Sequence, residues 1–146
     1  SRDPQRAPMQ WDHSDNAGFT KGKPWLRMDA NASKNNVQSQ KDDPGSLLLY
    51  YQRLIALRQK EPALYQGDYY PVVNDGHVLS YIRKNKGNAA FLIVLNCTGK
   101  PTAFRPETTD LKGKVVLSTH EQRTGNIFSG GMMLEADEAL IVQINE

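Results

Sequence analysis

A chain of 146 residues is long enough for one domain with its own core and a short appendage from a neighbour. Its 38% hydrophobic and 23% charged residues suit a globular protein and exclude a disordered tail. With 18 basic and 16 acidic residues the net charge is only +2, which gives no one-sided footprint for nucleic acid or anionic lipid. No apolar run reaches the roughly 20 residues needed to cross a bilayer, so no membrane span is expected. The N-terminus lacks the layout of a signal peptide, and the sequence does not separate a cytoplasmic from a secreted protein. The single cysteine, Cys97, rules out an internal disulfide and reads as a small, half-buried residue at a strand end.

In chain order, residues 1–44 show no sustained period of 3.6 or 2. Pro4, Pro8, Gly18, Gly22 and Pro24 punctuate the segment, which reads as one long loop. It carries Met9, Trp11, Phe19, Trp25, Leu26 and Met28, more large apolar groups than a disordered segment holds, so it is expected to pack against protein surface outside this chain. A helix is expected next, with Asp43 as N-cap, Pro44 at the first helical position and Pro62 as the stop. Leu47, Tyr51, Leu54, Ile55 and Arg58 recur at spacings of three and four, which gives that helix a broad face to bury.

Beyond the helix the period becomes that of strands. Tyr69–Val73, Val78–Arg83, Ala89–Asn96, Thr102–Arg105, Val115–Ser118, Met132–Leu134 and Ala139–Ile144 are separated by turn chemistry. Asn74-Asp75-Gly76 between two apolar runs is a tight-hairpin signal. Short strands at this spacing predict an antiparallel β-sandwich.

The opening Ser1-Arg2-Asp3-Pro4-Gln5-Arg6-Ala7-Pro8-Met9-Gln10-Trp11-Asp12, followed by Asn16-Ala17-Gly18-Phe19, resembles the signature near the end of the catalytic barrel in α-glucosidases and oligo-1,6-glucosidases of the α-amylase superfamily, glycoside hydrolase family 13. Pro24-Trp25-Leu26, Asn36-Val37 with Gln40, Leu54-Ile55-Ala56-Leu57-Arg58 before Pro62-Ala63-Leu64, and Gly67-Asp68-Tyr69 follow in the family's order. The likeness is strong to about Tyr69 and loose through the β-region. It implies a mainly β chain in which residues 1–62 are the last loop and last helix, 44 to 61, of a (β/α)8 barrel. Residues 63–146 would then be a β-sandwich C-terminal domain. Active sites of such barrels lie on the loops after the strands, so the opening loop would face a sugar pocket.

The resemblance also implies a role for Arg6, which matches the arginine that holds the terminal glucose, with Arg2 as the alternative. A guanidinium presents a rigid fork of donors to neutral sugar hydroxyls. Without the resemblance, Arg6 reads as a surface partner of Asp3 or Asp12, and Trp11 and Trp25 as loop anchors rather than sugar platforms. Where this chain has Ala7, the family has Thr, which removes a hydroxyl beside the site. Retaining glucosidases work with two carboxyl groups about 5 Å apart. No such pair is expected in this chain: Asp42-Asp43 reads as a helix start, Glu107 and Asp110 as turn residues, and Glu135, Asp137 and Glu138 as a last hairpin.

His13, His77 and His120 stand singly, so neither a metal nor any other cofactor is expected, and no phosphate loop or serine elbow is present. The chain thus reads as the inactive C-terminal piece of an enzyme whose partners are an oligosaccharide substrate and the missing barrel. Two other readings are a non-catalytic relative of the transporter heavy-chain type and a free-standing carbohydrate-binding β-sandwich displaying Tyr69, Tyr70 and Tyr81.

Overall fold

The computed structural model describes residues 2–74 and 76–145. It divides into two compact units, residues 1–52 and 53–146, with one helix running through the division.

The second unit is mostly strand. β1 (Asp68–Pro71), β2 (Leu79–Lys84), β3 (Ala90–Leu95), β5 (Lys112–Ser118), β6 (Ile127–Ser129) and β8 (Ala139–Ile144) form a six-stranded antiparallel sheet in the order β1-β2-β3-β8-β5-β6. β4 (Thr102–Phe104) and β7 (Met132–Leu134) form a separate two-stranded ribbon. The mainly antiparallel β character expected from the alternating runs is present.

Alternation along the central strands sets which face each side chain meets. In β3, Leu92 and Val94 join Phe104, Val115, Phe128, Leu134, Leu140 and Val142 in the larger core, so the β4/β7 ribbon packs on that face. Phe91 and Ile93 point the other way and meet Ala63. That residue belongs to a short helix, α3 (Pro62–Gln66), which covers the opposite face. β3 is therefore buried on both sides and reads as a continuous apolar run rather than an alternating one. Each fully buried large side chain contributes about 1.5–3 kcal/mol.

Backbone approach is closest where β5 passes β8. A Cβ on Gly113 would lie 2.2 Å from the Gln143 carbonyl oxygen, so only glycine lets these strands pair in this register. Gly113→Ala is expected to destabilise the unit by about 1–3 kcal/mol in a urea titration, because the clash is with backbone and not with a side chain that can swing away.

Several expectations are corrected. The opening segment is not one irregular loop: it contains 3-10 turns at Asp3–Arg6 and Asp15–Gly18 and a short helix, α1 (Val37–Lys41). The long helix, α2 (Leu47–Lys60), begins three residues later than residue 44. Asp43 caps a turn instead, its Oδ1 accepting the Gly45 N–H at 2.9 Å, while Ser46 Oγ accepts the Leu49 N–H at 3.2 Å and takes the capping role. The expected buried face of α2 is open within the chain: Leu47, Tyr51 and Ile55 are 66%, 55% and 52% exposed, and Leu54 is half-buried.

Pro62 stops α2 but also starts α3, since a proline is harmless at a first helical turn. The β1–β2 connection spans residues 72–78 and is wider than a tight hairpin turn. Asn74 closes it: its Nδ2 donates to Val78 O at 2.9 Å and to Ser80 Oγ at 2.8 Å, and its Oδ1 accepts the Gly76 N–H. Asp75, expected at that turn, lies outside the described residues, as does Ser1 at the head of the opening motif.

Candidate functional site

The segment expected to carry sugar chemistry lies in the first unit, and its backbone is fixed by local hydrogen bonds. Trp11 N and Asp12 N both donate to Ala17 O, at 2.9 and 3.3 Å, which closes residues 11–17 into a ring. The turn inside it is left-handed at three successive residues, with φ of 51° at Asn16 and Ala17 and 68° at Gly18. Holding Ala17 in that region costs on the order of 1–3 kcal/mol, so the surroundings must enforce it. Asp12 supplies part of that enforcement. Its Oδ1 accepts from the Ser14 N–H at 2.8 Å and from the Ser14 hydroxyl, and its carboxylate fills the space where a Cβ on Gly18 would sit.

The Ser14 hydroxyl first, and the Ser14 N–H second, hold the Asp12 carboxyl below the usual carboxylate range; desolvation opposes them, and His13 adds to the lowering. Asn16 extends the clamp downstream, its Nδ2 donating to Thr20 O at 3.1 Å and to Gly22 O at 3.0 Å. Asp12 is thus a loop-shaping residue.

Asn36 and Gln40 also acquire physical roles. Asn36 is 2% exposed and forms a reciprocal cap with Ser39: Oδ1 accepts the Ser39 N–H at 2.9 Å and Ser39 Oγ accepts the Asn36 N–H at 3.2 Å. Its Nδ2 approaches His13 Nδ1 at 3.2 Å and donates to Ala32 O at 2.9 Å, so His13 is part of a structural network. Gln40 Oε1 accepts the Leu48 N–H at 3.0 Å and Gln40 O accepts from Ser46 Oγ, which ties α1 to the start of α2. The Asn-x-x-Ser spacing at 36–39 was the signal from which this cap could have been found.

Arg6 is exposed at the end of the first 3-10 turn, and its Cζ lies 4.9 Å from the centroid of the Trp25 ring. The neighbour is therefore an aromatic face and not the Asp12 carboxylate, which is turned to Ser14 and Gly18. Arg2 is exposed just before the same turn and makes no side-chain cap. A groove of about 530 Å³ in this unit is lined by Pro4, Ala7, Met9, Val37, Leu48 and Tyr51 among others, and neither arginine is part of its wall. Its surface is mainly apolar, which suits hydrocarbon side chains rather than a sugar. Trp11 and Trp25, both read as loop anchors, are 49% and 72% exposed within this chain. The Trp11 backbone is held by its hydrogen bonds to Ala17 and Gln38.

In the second unit, sequence reasoning missed a buried carboxylate. Glu138 is fully buried; its Oε1 lies 3.2 Å from Arg123 Nε and its Oε2 accepts the Glu135 N–H at 2.7 Å. Ser118 Oγ donates to the same Oε1 at 3.3 Å, and Arg123 also meets Glu135 at 3.5 Å. Nothing in the local pattern marked Glu138, because its partner lies in a different turn. Asp137 adopts φ of 53° and its Oδ1 accepts the Gly99 N–H at 3.0 Å. These acidic groups serve the fold of the β unit. Cys97 is exposed rather than half-buried, since it follows the end of β3 at Leu95.

The α-amylase catalytic-domain family matches residues 1–67. The oligo-1,6-glucosidase of Parageobacillus thermoglucosidasius is 36% identical over 80% of this chain and 21% of its own length. A probable oligo-1,6-glucosidase of Bacillus subtilis strain 168 is 33% identical over 96% of this chain and 25% of its own length. Among solved structures, isomaltulose synthase from Klebsiella sp. LX3 superposes with a TM-score of 0.89 at 33% identity, covering 99% of this chain and 26% of that one. The chain thus spans about a fifth to a quarter of the length of the relatives it matches. In sequence and in fold, the chain belongs to the α-amylase family, glycoside hydrolase family 13.

Proposed function

We propose that the chain is the C-terminal portion of a retaining α-glucosidase that acts on terminal α-linked glucose of short oligosaccharides. Residues 1–62 provide the last loop and last helix of its (β/α)8 barrel, and residues 63–146 its β-sandwich domain. The observation that carries this reading is the exposed Arg6 guanidinium, held on a hydrogen-bonded loop within the segment that matches the catalytic-domain family. The apolar side chains that α2 leaves open, Leu47, Tyr51 and Ile55, support it too, since a barrel helix needs a neighbour on that face.

In this reading the opening loop forms part of the rim of the sugar pocket. Arg6 donates to hydroxyl oxygens of the terminal glucose, with Arg2 as the alternative donor. The nucleophile and the acid/base lie in the barrel, outside this chain, and the chain alone is inactive. The substrate class follows the relatives' names: two are oligo-1,6-glucosidases, and a third, from Escherichia coli K12, is a trehalose-6-phosphate hydrolase.

The full-length protein, assayed on maltose, isomaltose and sucrose, is expected to release glucose from at least one of them. No release from any of the three, with barrel carboxylates absent from the upstream sequence, would overturn the enzyme reading in favour of a non-catalytic relative. Saturable binding of maltose by the 146-residue chain that persists in Arg6→Ala, measured by calorimetry, and is lost when Tyr69, Tyr70 and Tyr81 are replaced by Ala would instead assign sugar recognition to the β unit.

A further inference from the structure

We infer that Trp25 is a positioning residue for the Arg6 guanidinium, and through it for the terminal sugar; this rests on the reading of Arg6 as a sugar contact. A guanidinium over an indole is attracted by its charge to the ring, and that attraction uses up none of its five N–H donors in hydrogen bonds to an acceptor side chain. A carboxylate partner would do the opposite and occupy two of those donors in a bidentate pair. With the Arg6 Cζ 4.9 Å from the Trp25 ring centroid, the indole restrains the cation without pairing with its N–H donors, which stay available to neutral hydroxyls.

The chain leading to each end of the contact is locally restricted. Arg6 closes a 3-10 turn that starts at Asp3-Pro4 and is followed by the buried Pro8. On the other side, Asn16 binds the carbonyls of Thr20 and Gly22, and Pro24, with its fixed φ, directly precedes Trp25. Because Trp25 is 72% exposed, its ring adds little to the packing of its unit, and the stack with Arg6 is its main contact.

The test is a double-mutant cycle in the full-length enzyme, with KM and kcat measured on the best of the three disaccharides. Trp25→Ala is expected to raise KM about three- to tenfold with kcat changed less than about twofold, and Trp25→Phe to restore most of the loss, since a phenyl face also attracts the cation. In an Arg6→Ala background, Trp25→Ala is expected to add almost nothing, because the group it orients is gone. A merely structural role predicts the reverse: losses that multiply in the double variant and a lowered melting temperature. If Arg6→Ala is severe while Trp25→Ala leaves KM unchanged, or if the two effects are additive, the positioning role is overturned and the Arg6 reading stands. If Arg6→Ala itself has wild-type kinetics, both fall together.

Discussion

Arg123→Ala is expected to destabilise the β unit by about 3–5 kcal/mol, the cost of leaving a buried carboxylate without its cation. Glu138 is fully buried beside the start of β8, and Arg123, which itself is largely covered, contacts it at 3.2 Å. The remaining donors, Ser118 Oγ and the Glu135 N–H, satisfy two lone pairs but bring no charge. Thermal unfolding of the β unit should show a melting temperature lower by roughly 12–40 °C, given about 4–8 °C per kcal/mol for a domain of 60–100 residues. The double variant Arg123→Ala with Glu138→Leu should recover much of the loss, since a buried apolar side chain needs no partner. A single-variant loss below about 1 kcal/mol would mean that water reaches Glu138 in the folded state. The exposed pair Arg53 and Glu121, at 3.2 Å, is the contrasting case and contributes less than about 1 kcal/mol.

The β region was the more legible part of the sequence, because alternation and turn residues report directly on a sheet. Strand β3 could be read from its apolar run, and β8 likewise. β6 was missed because Ile127–Ser129 is too short to show a period. The start of α2 was misplaced for a different reason. Asp43-Pro44 and Ser46 are both sound starting signals, and the choice between them was made by Gln40, which reaches the Leu48 N–H from the preceding helix.

The helix's apolar spacing was real but its burial was not a local property, since it depends on what lies beside Leu47, Tyr51 and Ile55. In the opening segment, the motif residues were legible as a family signature long before their physical roles were. Asp12, Asn16, Asn36 and Gln40 hold turns and caps, which requires partners up to 23 residues apart. The stack of Arg6 on Trp25 joins positions 19 apart and leaves no trace in composition or period.

Under the proposed function, loss of the Arg6 side chain from the full-length protein should be the largest functional effect within this chain. Hydrogen bonds from a charged donor are worth about 1.5–3 kcal/mol each, so kcat/KM on the preferred substrate should fall on the order of 100-fold. Arg6 is exposed and buries little, so the melting temperature should shift by no more than an ordinary surface change does. Steady-state kinetics of Arg6→Ala beside Arg2→Ala is the most direct trial of the account. A collapse confined to Arg6→Ala, with both variants folded, is the predicted result. A collapse confined to Arg2→Ala would transfer the contact to that residue, and wild-type kcat/KM in both would contradict the claim that this loop reaches the substrate at all.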